Sequence, residues 1–149
     1  MDCDGVLTDG RLYFSKYGEE MKTFFVRDGL GLVLWHAAGY RSGIISGRNS
    51  PIVEQRARQL GVEFVYQGRD EKVSAFNELV SAAGVSPEEA VFIGDDTPDA
   101  EVFPFVGLSV AVADAHEAVR SAAHFTTKAA GGRGAVRELI DLILEAKKG

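Results

Sequence analysis

Four short stretches carry residues whose types and spacing suit chemistry on a phosphate. In Asp2-Cys3-Asp4-Gly5, two carboxylates stand two residues apart. In extended chain that spacing points both at one place, and Gly5 lets backbone amides approach an anion closely. Ser46-Gly47-Arg48 puts a hydroxyl, a glycine and a cation after the apolar Ile44-Ile45. Lys72 stands near the start of a helical stretch that begins around Asp70, where a cation is unfavourable against the helix dipole. Gly94-Asp95-Asp96-Thr97-Pro98-Asp99 gathers three carboxylates that repel one another unless a cation or hydrogen bonds intervene, and hard oxygen donors favour Mg²⁺.

Each stretch also has a plainer reading: a solvated acidic turn, a strand-to-helix turn, a surface lysine, and a capped helix start in which Asp96 or Asp99 is only a cap. Two competing motifs fail. An EF-hand loop would want an oxygen ligand and a glycine where Val6 and Leu7 stand, and the run from Gly5 to Arg11 lacks the lysine and hydroxyl that end a phosphate-binding loop. His36, His116 and His124 lack metal-ligand spacing and read as structural, as does Cys3.

The elements that must position these residues follow from periodicity. Apolar runs over 41–46, 62–66, 90–93, 108–112 and 124–127 alternate with helical patterns, the signature of a parallel sheet between helices. Ser50-Pro51 and Ser86-Pro87-Glu88-Glu89 mark helix starts, the latter as a capping box. A last helix over 134–147 places Val136, Leu139, Ile140, Ile143 and Leu144 on one face. Residues 11–27 break the alternation and read as a β-hairpin flap around a turn at Lys16-Tyr17-Gly18-Glu19. The four chemical stretches thus fall at or just beyond the C-terminal ends of strands, on one edge of the sheet. The glycine-rich segment 131–134 is expected to move over the pocket.

The chain has 149 residues, which suits a single domain over 1–149. A net charge of −6 gives no basic patch for nucleic acid, and no apolar run is long enough to span a bilayer. One cysteine cannot form an internal disulfide, so a cytoplasmic location is expected.

The order and chemistry of the four stretches resemble the haloacid dehalogenase superfamily, whose motifs are DxD, a strand-terminal Ser or Thr, a Lys, and a GDD-type acidic motif. Further runs, Gly18-Glu19-Glu20, Arg27-Asp28-Gly29, Tyr66-Gln67-Gly68, Ala111-Val112-Ala113-Asp114-Ala115 and Gly131-Gly132-Arg133-Gly134, extend the likeness across essentially the whole chain to its 3-deoxy-D-manno-octulosonate 8-phosphate phosphatase family. The resemblance implies a Rossmann-like α/β fold with no large cap domain. It also implies an Mg²⁺-dependent phosphatase acting on a small phosphorylated sugar acid, and a homotetramer. By that resemblance Asp2 is the nucleophile that becomes an aspartyl-phosphate, Asp4 the general acid and base, and Asp2, Asp95 and the Asp4 backbone carbonyl hold the metal. Ser46, Gly47 and Lys72 then bind the phosphoryl group, while Arg48 and Arg56 meet the substrate's charged ends.

Members of that superfamily place the nucleophile at the end of a central buried strand, yet only Met1 precedes Asp2. The expectation is therefore a chain numbered from an internal methionine of a longer protein, without its first core strand. Three other readings stand beside the main one: a phosphatase for a nine-carbon sialic-type acid 9-phosphate, a noncatalytic oligomerisation domain of the same fold, and a phosphate-binding regulator. The presence of Asp2, Asp4, Lys72 and Asp95 together argues against the noncatalytic module.

Overall fold

The apolar runs become short parallel strands and the amphipathic stretches become helices. A computed structural model describes residues 1–149 apart from the side chain of Glu20, the last of the Gly18-Glu19-Glu20 run, which lies outside the described residues. In chain order the elements are β1 (Tyr13–Ser15), β2 (Gly18–Met21), α1 (Val26–Ala37), β3 (Gly43–Ile45), α2 (Pro51–Leu60), β4 (Phe64–Tyr66), α3 (Lys72–Ala83), β5 (Val91–Gly94), α4 (Thr97–Ala100), β6 (Leu108–Ala111), α5 (Glu117–Ala122), β7 (Phe125–Thr126) and α6 (Ala135–Ala146). Every strand expected from the apolar runs is present, four of them shortened at their ends and β5 shifted by one residue to Val91–Gly94.

β3 pairs with β4, and β5 with β6 and then β7, all in parallel. Residues 1–2 join the two groups. The Met1 amine donates to the Gly43 carbonyl (3.1 Å), the Ile45 amide donates to the Met1 carbonyl (2.9 Å), and the Asp2 amide donates to the Ile93 carbonyl (3.1 Å). Asp2 therefore stands between β3 and β5, in the central position that the family likeness assigns to the nucleophile. Beyond Met1 an apolar cavity of about 400 Å³ separates the two strands, lined by Leu32, Phe76, Phe92, Val136 and Ile140 among others.

The helices close over the sheet because each offers one apolar face. α6 buries Val136, Leu139 and Ile140, each worth roughly 1.5–3 kcal/mol when removed from water. Its first turn has no side-chain cap from Gly134. Instead the buried Asp28 of α1 accepts from the Gly134 and Arg137 amides at 3.2 and 2.9 Å, so α1 caps α6. Two expected helix starts differ in detail. Pro87–Glu89 is a single 3-10 turn that keeps its capping box, because the chain enters β5 immediately afterwards. Ser50 leads into α2, but its hydroxyl donates to Glu19 in place of capping the helix.

The hairpin of β1 and β2 turns at Lys16 and Tyr17, with Gly18 at φ +115° and a bulge between Tyr13 and Phe14. Its apolar side chains Phe14 and Tyr17 are 58% and 84% exposed.

The segment 131–134 is packed, against the expectation that it moves. A β-carbon at Gly131 would lie 1.7 Å from the Gly5 carbonyl oxygen, and one at Gly132 2.4 Å from the Asp9 nitrogen. The Gly132 amide donates to the Val6 carbonyl (2.9 Å) and the Gly131 amide to Asp114 (2.8 Å). Glu138 accepts from the Lys128 and Ala129 amides, each at 2.9 Å. The glycines let two backbones touch, bracing the turn that carries Asp2 and Asp4.

Replacing Gly131 by Ala must displace that turn, since neither backbone can give way by a side-chain rotation. Gly131→Ala is expected to lower stability by about 1–3 kcal/mol, in the range of overpacked interiors, and to slow turnover. Urea denaturation followed by circular dichroism checks this, and an unchanged midpoint with unchanged turnover contradicts it.

Candidate active site

Lys72 is the first residue of α3, and its side chain is nearly buried. Its ammonium lies 2.9 Å from Asp2 Oδ1 and 2.6 Å from Asp99 Oδ1. This answers the puzzle of a cation at a helix N-terminus: the two carboxylates outweigh the dipole. Burial alone would lower the Lys72 affinity for its proton, but Asp2 and Asp99 hold it above the ordinary lysine range.

Asp95 enters from the end of β5. Carboxylate oxygens of Asp2, Asp95 and Asp99 lie within 4.8 Å of one another. Asp99 is fully occupied, since its second oxygen accepts from the Asp95 and Asp96 amides at 2.9 and 3.2 Å. It holds Lys72 and the β5 loop in place. Asp95 Oδ1, by contrast, is buried without a hydrogen-bond partner. Gly5 makes this approach possible, for a β-carbon there would fall 2.0 Å from Asp95 Oδ2.

Burial and the neighbouring Asp2 charge push the Asp95 carboxyl up to about 9, and burial followed by the Asp99 charge raises Asp2. Without a cation the folded cluster thus keeps a proton that the unfolded chain would release above its ordinary value of 3.8. The sign follows directly. This contribution to stability is fully present below pH 3.8 and is lost as pH rises towards about 9. An orphaned, buried carboxylate oxygen beside a second carboxylate fits a hard divalent cation such as Mg²⁺, which would replace the retained proton. Asp2 and Asp95 are the side chains available to it. The Asp4 carboxylate is not among the three that converge, which leaves its backbone carbonyl as the donor expected from that residue.

The Asp4 side chain turns towards the hairpin, where Lys22 Nζ lies 2.6 Å from Asp4 Oδ1. Ser46 directly follows β3, buried, with its hydroxyl accepting from the Arg48 amide (3.2 Å). Gly47 and Arg48 are exposed, and the Arg48 guanidinium lies over Phe14 of the hairpin, 5.5 Å from the ring centre. Arg56 does not join the carboxylates. Its guanidinium lies 5.6 Å from the Phe24 ring centre and blocks a β-carbon at Gly29, and it forms no ion pair among the described residues.

Three residues of the site escaped the sequence reading. Asp99 resembled a helix cap, and its pairing with a lysine 27 positions away leaves no local signal. Lys22 gives no local signal either, since its partner Asp4 lies 18 positions away. Thr8 is buried and its hydroxyl accepts from the Gly5 and Gly10 amides at 3.3 and 3.1 Å, closing the turn after Asp4.

Comparison with known proteins agrees with this geometry. A profile of haloacid dehalogenase-like hydrolases matches residues 55–139. The chain is 47% identical over 146 residues to the 3-deoxy-D-manno-octulosonate 8-phosphate phosphatase of Yersinia pestis, covering 98% of this chain and 78% of that protein. It superimposes with a TM-score of 0.97 on the cobalt-bound deoxy-D-mannose-octulosonate 8-phosphate phosphatase from Haemophilus influenzae, at 43% identity, covering 99% of this chain and 86% of that one. A third relative is the Moraxella catarrhalis enzyme in complex with magnesium, phosphate and its sugar acid, with a TM-score of 0.93, 39% identity, and coverage of 97% and 83%. With the Asp2-Asp4 turn, Lys72 and the acidic loop arranged at one sheet edge, the chain belongs to the haloacid dehalogenase-like hydrolase family.

Proposed function

We propose that the chain is a phosphatase that hydrolyses 3-deoxy-D-manno-octulosonate 8-phosphate with Mg²⁺ as cofactor, working in the cytoplasm as one catalytic domain. The observation that carries this reading is the buried grouping of Asp2, Lys72 and Asp95 with one carboxylate oxygen left unpaired, in a chain 47% identical to a phosphatase of that specificity.

One oxygen of Asp2 attacks phosphorus, forming an Asp2–phosphorus bond as the bond to the sugar oxygen breaks. Asp4 gives its proton to that departing oxygen, so the leaving group departs as an alcohol. Water then attacks phosphorus, Asp4 takes its proton, and the Asp2 carboxylate is released. The Ser46 hydroxyl, the Gly47 amide and the Lys72 ammonium bind the phosphoryl oxygens and stabilise the charge that develops on them. Bound Mg²⁺, held by Asp2, Asp95 and the Asp4 carbonyl, supplies positive charge that lets an anionic nucleophile meet an anionic phosphate. Arg48 stands at the pocket rim beside the hairpin, where it meets the sugar-acid carboxylate. Arg56 is a second contact to that carboxylate, supported by the absence of an ion pair to its guanidinium among the described residues.

Phosphate release with Mg²⁺ is expected from the eight-carbon sugar acid phosphate in preference to a nine-carbon sialic-type acid 9-phosphate. Asp2→Asn is expected to lose activity by at least about 10³-fold, the scale seen when a nucleophile is removed. Equal release by the variant, or no release from either substrate, contradicts the reading.

We further propose a homotetramer, because Leu12, Phe14, Tyr17 and Met21 leave an exposed apolar surface on a hairpin too small to cover a pocket alone. Sedimentation is expected to show a tetramer that Phe14→Asp with Tyr17→Asp dissociates, and a monomer for the unaltered chain at all concentrations contradicts it.

A further inference from the structure

The most deeply buried cation outside the phosphate-binding group is Lys22. It follows β2 directly, and its side chain has no exposed surface (0%), although the hairpin that carries it stands out into solvent. Its ammonium meets Asp4 Oδ1 at 2.6 Å and Glu19 Oε1 at 2.9 Å. The other Glu19 oxygen accepts from the Ser50 hydroxyl, and the Ser50 amide donates to Gln67 Oε1 at 2.8 Å. A continuous polar chain therefore runs from Asp4 through the base of the hairpin to the residue that opens α2, just beyond Ser46-Gly47-Arg48.

Holding the hairpin closed does not require this arrangement. The β1–β2 ladder ends at the pair Tyr13 and Met21, one residue before Lys22. Ser50 also gives its hydroxyl to Glu19 when the N-terminus of α2 would otherwise take it. A buried lysine is costly unless its partners are fixed. Here they fix one oxygen of Asp4 and leave Oδ2 as the one that no donor occupies among the described residues.

We propose that Lys22, braced by Glu19 and Ser50, is a positioning residue for Asp4. It selects Oδ2 as the oxygen that carries the transferred proton and aims it at the departing sugar oxygen. The inference rests on the proposed acid role of Asp4. It also assigns the hairpin a task within its own subunit, apart from any contact with another.

A positioning role and a plain structural tether differ in how they treat the leaving group. A sugar alkoxide needs a proton to depart, whereas p-nitrophenolate leaves without one, so a misplaced acid harms the first ester far more. The test compares kcat/KM, which reports the first phosphoryl transfer, on 3-deoxy-D-manno-octulosonate 8-phosphate and on p-nitrophenyl phosphate with Mg²⁺. Lys22→Met is expected to lose at least about tenfold more on the sugar ester than on the aryl ester, within the range of general acid catalysis. Lys22→Gln, which keeps a donor at that place, is measured beside it and is expected to show the same imbalance to a smaller degree. The aryl ester reports whether each variant keeps a folded site. Equal losses on both esters in both variants, or no loss on the sugar ester, overturn the proposal. Asp4→Asn separates the two levels. If it too treats the esters alike, the proton assignment to Asp4 fails; if it discriminates and the Lys22 variants do not, only the role of Lys22 fails.

Discussion

Asp2, Asp95 and Asp99 crowd together in a place largely closed to water, and the Lys72 ammonium pairs with only Asp2 and Asp99. At an effective dielectric of about 20, two unit charges about 4 Å apart repel by about 4 kcal/mol. One lysine cannot neutralise three carboxylates, so the folded protein either keeps a proton on the cluster or takes up a cation. The elevated Asp95 and Asp2 carboxyls express the first state. The unpaired Asp95 oxygen marks where the second begins. Much of the surrounding structure is what holds this unfavourable grouping in register.

That holding is done mainly by backbone. Asp2 is fixed by the hydrogen bonds of residues 1–2 to β3 and β5, and Asp95 by the end of β5 and the amide contacts of Asp99. Glycines allow the closest approaches: Gly5 against Asp95, Gly94 against Asp99, and Gly131 against Gly5. At each of these a β-carbon would fall within 2.3 Å of its neighbour. The carboxylates Asp28, Asp114 and Glu138 tie down the loop that presses on the turn carrying Asp2 and Asp4. In this glycine-rich loop, Gly131 and Gly132 serve close backbone contact.

The parallel strands were legible because apolar runs and helix signals alternate, and the four chemical stretches were legible because each falls at or just beyond the end of an apolar run. Asp2, Lys72 and Asp95 converge as their positions suggested. What local sequence could not convey were long-range pairings. Asp99 resembles a cap in its own surroundings, and only the fold brings Lys72 to it. Lys22 and Asp4 are 18 residues apart, joined by a hairpin whose exit angle depends on a bulge. Arg56 illustrates the reverse. The family likeness sets it beside Arg48 at the substrate's charged ends, whereas in the fold its guanidinium lies over Phe24 and close to Gly29. Gly131 and Gly132 were read for freedom, since a sequence does not show what presses on a glycine.

The Asp2-Asp95 cluster would give up its retained proton in exchange for a divalent cation. Calorimetric titration of the protein with Mg²⁺ at pH 7.5, repeated in buffers of different ionisation heat, measures that exchange directly. The predicted result is release of about one proton for each Mg²⁺ bound, with binding strengthening as pH rises towards about 9 and the proton release lost in Asp95→Asn. Binding without proton release, or binding that Asp95→Asn leaves untouched, would contradict it.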